Sequence, residues 1–297
     1  MKNHTGKNLL IISAVIMQSA YSDIIINSST ADWTPITYGT NTPDAATDQQ
    51  TGLVSGDIVG DANHHAFYSK FDNLGTSSTT DGTLGFRIRL NEIKDEKKMT
   101  FNYNLFVGMD ADLNGSIDLF VGVDNSPNGS QSIAIWDPGP DANTGPSTTS
   151  IVSPPSLTYT EVNNVNFHFA LVSTALDPAA ISLDVDGGGK TDAFLSFSID
   201  FYDVITLLGN KNITIDETSG INYVMATATQ DNSLNMDLNG VNDGIGSTNT
   251  FAALGATSDT FSATGDVIPE PVALGLVAIG GLITLAGRRI HVYYTAP

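Results

Sequence analysis

Between residues 110 and 118 the chain reads D-A-D-L-N-G-S-I-D, a spacing that puts oxygen-bearing side chains at alternate positions of one short loop. When such a loop curls, Asp110, Asp112 and Asn114 converge on a point, Gly115 permits the sharp turn, Ser116 offers its carbonyl, and Asp118 closes the far side. Oxygen-only donors suit a hard cation, and calcium is the natural ion. The pattern departs from an EF-hand in two ways: the twelfth position is Val121 instead of glutamate, and both flanks read as strands. Lacking the bidentate ligand, the loop belongs with weak extracellular sites of roughly 0.1–1 mM. The alternative is an aspartate-rich hairpin turn that binds nothing.

Two fainter versions follow. Asn235, Asp237, Asn239 and Asp243, around Gly240, keep the shape with one carboxylate fewer and form a weaker candidate calcium loop. Asp184, Asp186 and Asp192 keep the first, third and ninth positions, but Gly188 at the fifth and Lys190 inside the loop make a turn the better reading.

Catalytic chemistry has little to work with. There is no cysteine, so thiol nucleophiles, Cys-zinc sites, iron–sulfur clusters and disulfides are excluded. Away from the chain ends the histidines are His64, His65 and His168, and no nucleophile elbow, H-E-x-x-H or phosphate-cradling loop accompanies them. His64 and His65 beside Asp61 are a candidate transition-metal pair against the plainer reading of a polar loop. Trp33, Trp136 and the tyrosines could supply a sugar-stacking surface, although Trp136 falls in a strand and reads as core. With so many aspartates some carboxylate pair always lies near another, so glycosidase pairs carry no signal. The expectation is a protein that is not an enzyme.

The elements that hold these loops are strands. In residues 83–90, Leu84, Phe86, Ile88 and Leu90 share one face while Arg87 and Arg89 take the other, the pattern of a half-buried strand. The alternation repeats at 101–109 and 117–123, which flank the 110–118 loop as a hairpin, and further strands are expected at 66–71, 132–136, 166–172, 192–199 and 223–229. One helix is expected over 201–208, capped by Asp200, and residues 247–266 read as a small-residue linker. This predicts a mostly β fold, an antiparallel β-sandwich ectodomain with one short helix, over residues 23–265.

Both ends read as targeting signals. Lys2 and Lys7 precede the apolar run 9–17, and Ala20-Tyr21-Ser22 offers small residues for a signal peptidase, giving a signal peptide over 1–22. At the other end Pro269-Glu270-Pro271 precedes sixteen uncharged residues, 272–287, and then Arg288-Arg289. Those sixteen would rise roughly 24 Å as a helix against a hydrocarbon core of about 30 Å, enough to insert and marginal as a permanent anchor. The arginines mark the cytoplasmic side.

Pro269, Glu270, Pro271, the apolar run and Arg288-Arg289 together resemble the PEP-CTERM sorting signal of Gram-negative bacteria. The resemblance implies recognition by an exosortase-type processing protease, an inner-membrane intermediate held by a single transmembrane helix, and delivery to the cell surface or extracellular matrix. A plain single-pass tail anchor is the alternative. Within 23–265 the runs DGTLGFRIRL, IAIWDPG and LDVDGGGKTDAFLSFSIDF resemble exported proteins of this type, which transfers no catalytic residue.

The formal charge is −20, and the 32 acidic and 12 basic residues become 31 and 8 once Glu270, Lys2, Lys7, Arg288 and Arg289 at the two ends are set aside. Such a field repels nucleic acid and attracts cations. The expected function is a structural or adhesive component of an extracellular matrix or biofilm, calcium-stabilised, with extracellular polysaccharide as a candidate partner. The alternative is a carbohydrate-binding or carbohydrate-active module.

Overall fold

The computed structural model describes residues 24–38, 44, 48–125, 131–180, 182–241 and 245–269. The expected signal peptide, the expected helix 272–287, Glu270, Pro271, Arg288, Arg289 and the candidate ligand Asp243 lie outside them. Among the described residues no helix is long and apolar enough to cross a membrane.

The chain forms two antiparallel sheets packed face to face. The strands are β1 (Thr34–Pro35), β2 (Phe67–Asp72), β3 (Thr83–Leu90), β4 (Asn104–Asp110), β5 (Leu119–Asp124), β6 (Ser132–Trp136), β7 (Leu157–Thr160), β8 (Phe167–Leu171), β9 (Ala193–Asp200), β10 (Asn222–Ala228) and β11 (Asp237–Leu238). One sheet has the order β1-β2-β3-β9-β8 and the other β11-β10-β4-β5-β6-β7. Period-2 alternation builds the interface: Phe86, Ile88, Leu195 and Phe197 from the first sheet meet Val107, Val121, Ile133 and Tyr223 from the second. Tyr223 packs edge-on against Phe67 and Phe86 at 6.0 and 5.6 Å. Gly122 is required where β5 pairs beside β4, since a Cβ there would lie 1.8 Å from the Leu105 carbonyl oxygen.

Helix α1 (Phe201–Gly209) starts where Asp200 accepts the Tyr202 N–H at 2.9 Å, and it buries Phe201, Val204 and Leu208. Beyond its end, Lys211 reaches back to donate to the Asp118 carbonyl at 2.6 Å and to pair with Asp137 at 2.7 Å, which ties the helix to the β4–β5 hairpin.

Both outer faces are covered, which corrects the reading of β3 as half-buried. Arg87 and Arg89 are 0 % exposed. Ile24, Ile26, Trp33 and Val172 lie over them with Tyr68 and Phe194 in a second apolar cluster. Arg87 stacks on Trp33 at 4.4 Å and donates to Ser196 Oγ at 2.9 Å and to the Ile26 carbonyl at 2.8 Å. Arg89 lies against Phe194 and is held by Asp177 and, at 2.9 Å, by Asp192.

The six-stranded sheet is covered in the same way, and residues 247–266 are no linker. They form the short helix α2 (Phe251–Leu254) and a segment that buries Phe251, Ala256 and Phe261. Phe251 and Ala256 close a third cluster with Phe106, Phe120 and Trp136 on that sheet's outer face. Small residues here serve close packing.

Removing the Arg89 guanidinium leaves Asp177 and Asp192 buried without their cation. Arg89→Ala should therefore cost roughly 3–5 kcal/mol, read as a fall in the urea midpoint of unfolding with an unchanged slope. A loss no larger than that of a surface substitution would refute the buried triad.

Candidate metal centre

The 110–118 loop sits at the tip of the β4–β5 hairpin, and the sequence folds it by local hydrogen bonds. Asp110 accepts the N–H groups of Asn114 (3.0 Å) and Gly115 (2.9 Å), Asp112 accepts that of Asn114 (3.2 Å), and Asp118 accepts those of Ala111 (2.8 Å) and Asp112 (3.3 Å). Leu113 and Gly115 take φ of 60° and 88° to close the curl. Asp110, Asp112 and Asp118 each present a carboxylate oxygen within 4.8 Å of the others, the widest separation two oxygens can have when both lie about 2.4 Å from one calcium ion. Asn114 turns its Oδ1 to the Ser116 N–H at 2.8 Å and its amide nitrogen to Asp112 at 2.9 Å. The Ser116 hydroxyl leaves the group and donates to the Ala142 carbonyl at 2.7 Å.

Residues 184–192 have the same architecture. Asp184 accepts from Gly187 (2.8 Å), Gly188 (3.0 Å) and Gly189 (2.7 Å), Asp186 accepts from Gly188 (3.0 Å), and Asp192 accepts from Val185 (3.2 Å). Gly187 and Gly189 take φ of 75° and 85° at the positions of Leu113 and Gly115. Asp184, Asp186 and Asp192 bring carboxylate oxygens within 4.8 Å of one another. Lys190 is not inside the loop: its ammonium is 2.5 Å from Glu92. Gly188 keeps the turn because the turn is made by backbone N–H groups, and only a side-chain oxygen is lost. Asp192 differs from Asp118 in being held by Arg89, while its Oδ1, fully buried, accepts no hydrogen bond.

Asn235, Asp237 and Asn239 do not form a third loop of this kind. Asn235 bonds back to Thr229, with its Oδ1 accepting the Thr229 N–H at 2.8 Å. Asp237 lies in β11 opposite Thr227, points into the protein, and accepts the Ile58 N–H at 2.6 Å. Its carboxylate meets Asp48 and Asp57, again with oxygens within 4.8 Å. The physical reason is that residues 237–238 pair with β10, and strand pairing pulls the backbone out of the curl that a local loop needs. Neither Asp48 nor Asp57 was marked by a motif, because their partner is nearly two hundred residues away in sequence.

Other candidates separate. His64 is buried with Nδ1 on Asp61 at 2.8 Å and Nε2 3.3 Å from the Ala179 carbonyl, while His65 faces Tyr68, so the two rings do not converge. Trp33 and Trp136 are both buried and offer no sugar platform.

Partial burial pushes the Asp110 and Asp192 carboxyls up to about 6 and raises Asp118. It does the same to Asp186, also about 6, with the shared hydrogen bond to Asp184 adding to the rise. A carboxyl raised in the folded state holds its proton more tightly there, so its stabilisation is present below the ordinary value of 3.8 and is lost as pH climbs through about 6. In chelator the melting temperature should therefore fall as pH rises across that interval, and excess calcium should flatten the fall because the ion replaces the protons. Equal slopes with and without calcium, in a differential scanning series, would remove these carboxylates as ligands.

No family model matches the chain, and no curated protein or solved structure matches it.

Proposed function

We propose that the chain is an exported, surface-sorted, non-catalytic protein that acts as a structural or adhesive component of an extracellular matrix or biofilm, its loops stiffened by calcium. The observation that carries this reading is the pair of loops 110–118 and 184–192, two separate segments folded by one hydrogen-bond scheme, each gathering three carboxylates on a chain of charge −20. Like charges a few ångströms apart repel, and a bound divalent ion relieves that repulsion while fixing the loop. The absence of cysteine leaves packing and metal as the sources of stability suited to an external location. Pro269-Glu270-Pro271, the apolar run and Arg288-Arg289 support sorting by an exosortase-type protease with the helix 272–287 as a membrane intermediate.

Free calcium at about ten times the dissociation constant stabilises a single-site protein by roughly 1.4 kcal/mol, a rise of a few degrees in melting temperature. Asp110→Asn with Asp112→Asn should remove the share of that rise due to the hairpin loop and raise the metal-free melting point slightly. A rise matched by magnesium at equal ionic strength would oppose the calcium assignment. For sorting, replacing Glu270 and both flanking prolines by alanine should leave full-length protein in the inner membrane; surface delivery as efficient as the parent's would favour a plain tail anchor.

A carbohydrate-binding role is favoured by one observation. A cleft of about 320 Å³ is lined by Phe101, Phe167, Phe169, Asn125 and Glu161, and burial raises the Glu161 carboxyl to about 7. Apolar rings beside hydrogen-bonding groups are the composition of a small sugar site. A glycan screen of the full chain, with Phe167→Ala as control, tests this reading: binding lost in the variant supports a sugar site in the cleft, and no binding, or binding unchanged in the variant, opposes it.

A further inference from the structure

The cleft of about 320 Å³ opens on the side of the sandwich where the chain crosses from β7, the last strand of one sheet, to β8, the last strand of the other. Glu161 follows β7, Phe167 begins β8, Asn125 follows β5, and Phe101 lies ahead of β4. Phe101 and Phe169 pack edge-on at 5.8 Å, and Phe167 shares the face of β8 that carries Phe169. Two residues of the same wall carry buried oxygens with no hydrogen bond: Asn125 Oδ1, in a residue 6 % exposed, and Glu161 Oε1.

Glu161 has no counter-ion. None of the ion pairs among the described residues includes it, and its carboxyl feels burial, which raises it, and a hydrogen bond from Asn125, which opposes the rise. Lys98 lines the cleft, but its ammonium is exposed and lies 3.5 Å from Asp95. The other titratable groups on the surrounding strands turn away. Tyr159 on β7 donates to Asp203, and Asp124 takes the face of β5 opposite to the core residue Val123. His168, between Phe167 and Phe169, faces the far side of β8, toward Arg87.

We propose that this cleft holds an amino sugar, its ammonium group on Glu161 Oε1 and Asn125 Oδ1 and its ring against Phe101, Phe167 and Phe169. The site depends on the carbohydrate reading given above and narrows it to a sugar with a free amine. Two acceptors without partners call for two donors, and an ammonium group brings three, together with the charge that Glu161 lacks. A neutral hydroxyl would leave a half-buried carboxylate without a cation, which is the costlier arrangement. Aromatic faces attract a cation and accept the apolar face of a sugar ring. The volume is at the small end of ligand sites, which suits about one ring.

The test is calorimetric titration of the full-length chain with three trisaccharides of one linkage, built from glucosamine, N-acetylglucosamine and glucose. Salt of about 0.15 M screens general attraction to a chain of charge −20. The glucosamine form should bind roughly tenfold tighter than either neutral form, the least that a hydrogen-bonded charge contributes. Glu161→Gln keeps the shape and should abolish that preference, while Asp141→Asn, which removes an exposed charge elsewhere, should retain it. If Glu161→Gln does not fold, the parent decides. Burial raises the Glu161 carboxyl to about 7, so it is protonated below that value and ionises as pH climbs. Affinity for the charged sugar should therefore rise roughly tenfold between about pH 5.5 and about pH 7, where its amine keeps its proton. Equal binding of the three sugars, a flat pH profile, or an unchanged preference in Glu161→Gln overturns the amino-sugar assignment and leaves a neutral sugar site. Spermidine bound as tightly as the glucosamine form overturns the sugar part, and a parent that binds none of the three sugars overturns the carbohydrate reading itself.

Discussion

The fold depends on a buried charge arrangement that apolar packing alone would not produce. Arg89 extends from β3 into a place closed to bulk solvent, where Asp177 and Asp192 grip its guanidinium and the Phe194 ring lies beneath it. Burying three ions is costly unless each is paired and hydrogen-bonded, so the arrangement fixes its surroundings more firmly than a leucine would. Asp192 is at once Arg89's partner and the last member of the 184–192 loop. Asp177 also accepts from the Thr30 hydroxyl, which draws in the segment covering β3. One cation thus sets the position of a covering segment, a sheet edge and an acidic loop.

Much of this was legible in the sequence. Alternation in 83–90, 101–109 and 117–123 identifies strands because one face of each meets the central core, and Asp200 ahead of an apolar stripe identifies the helix. The outer faces were illegible for a definite reason. Arginine on the second face of β3 reads as solvent-exposed unless its cover is known, and that cover, Ile24, Ile26, Trp33 and Val172, is distant in sequence and has no period of its own. Residues 247–266 misled for a related reason: small residues that read as linker are those that let Phe251 and Ala256 settle on Phe106 and Trp136.

The acidic groups divide along the same line. The members of 110–118 are neighbours in the chain, so their spacing encodes their meeting. The loop at 184–192 keeps its shape with Gly188 in place of Asn114, because the curl is made by backbone N–H groups donating to the Asp184 and Asp186 carboxylates and by two positive φ values, none of which needs a side chain at that position. Around Asp237 a similar string of letters gives a different object, since β-pairing captured it first and its partners lie 179 and more positions away.

Those long spans bear on the order of events in folding. Ile58 bonds to Asp237, Thr227 to the Gly56 carbonyl, Gly240 to Asp44 and Thr37 to Asp259, separations of 179, 171, 196 and 222 positions. Contacts of such range close late because loop entropy must be overcome before they contribute. A chain synthesised amino end first therefore cannot complete the junction between the Ile58 segment and β11 until residues 237–240 are available. Locking is left to residues 237–259, so the segment before β2 gains its long-range partners only after most of the chain has been made.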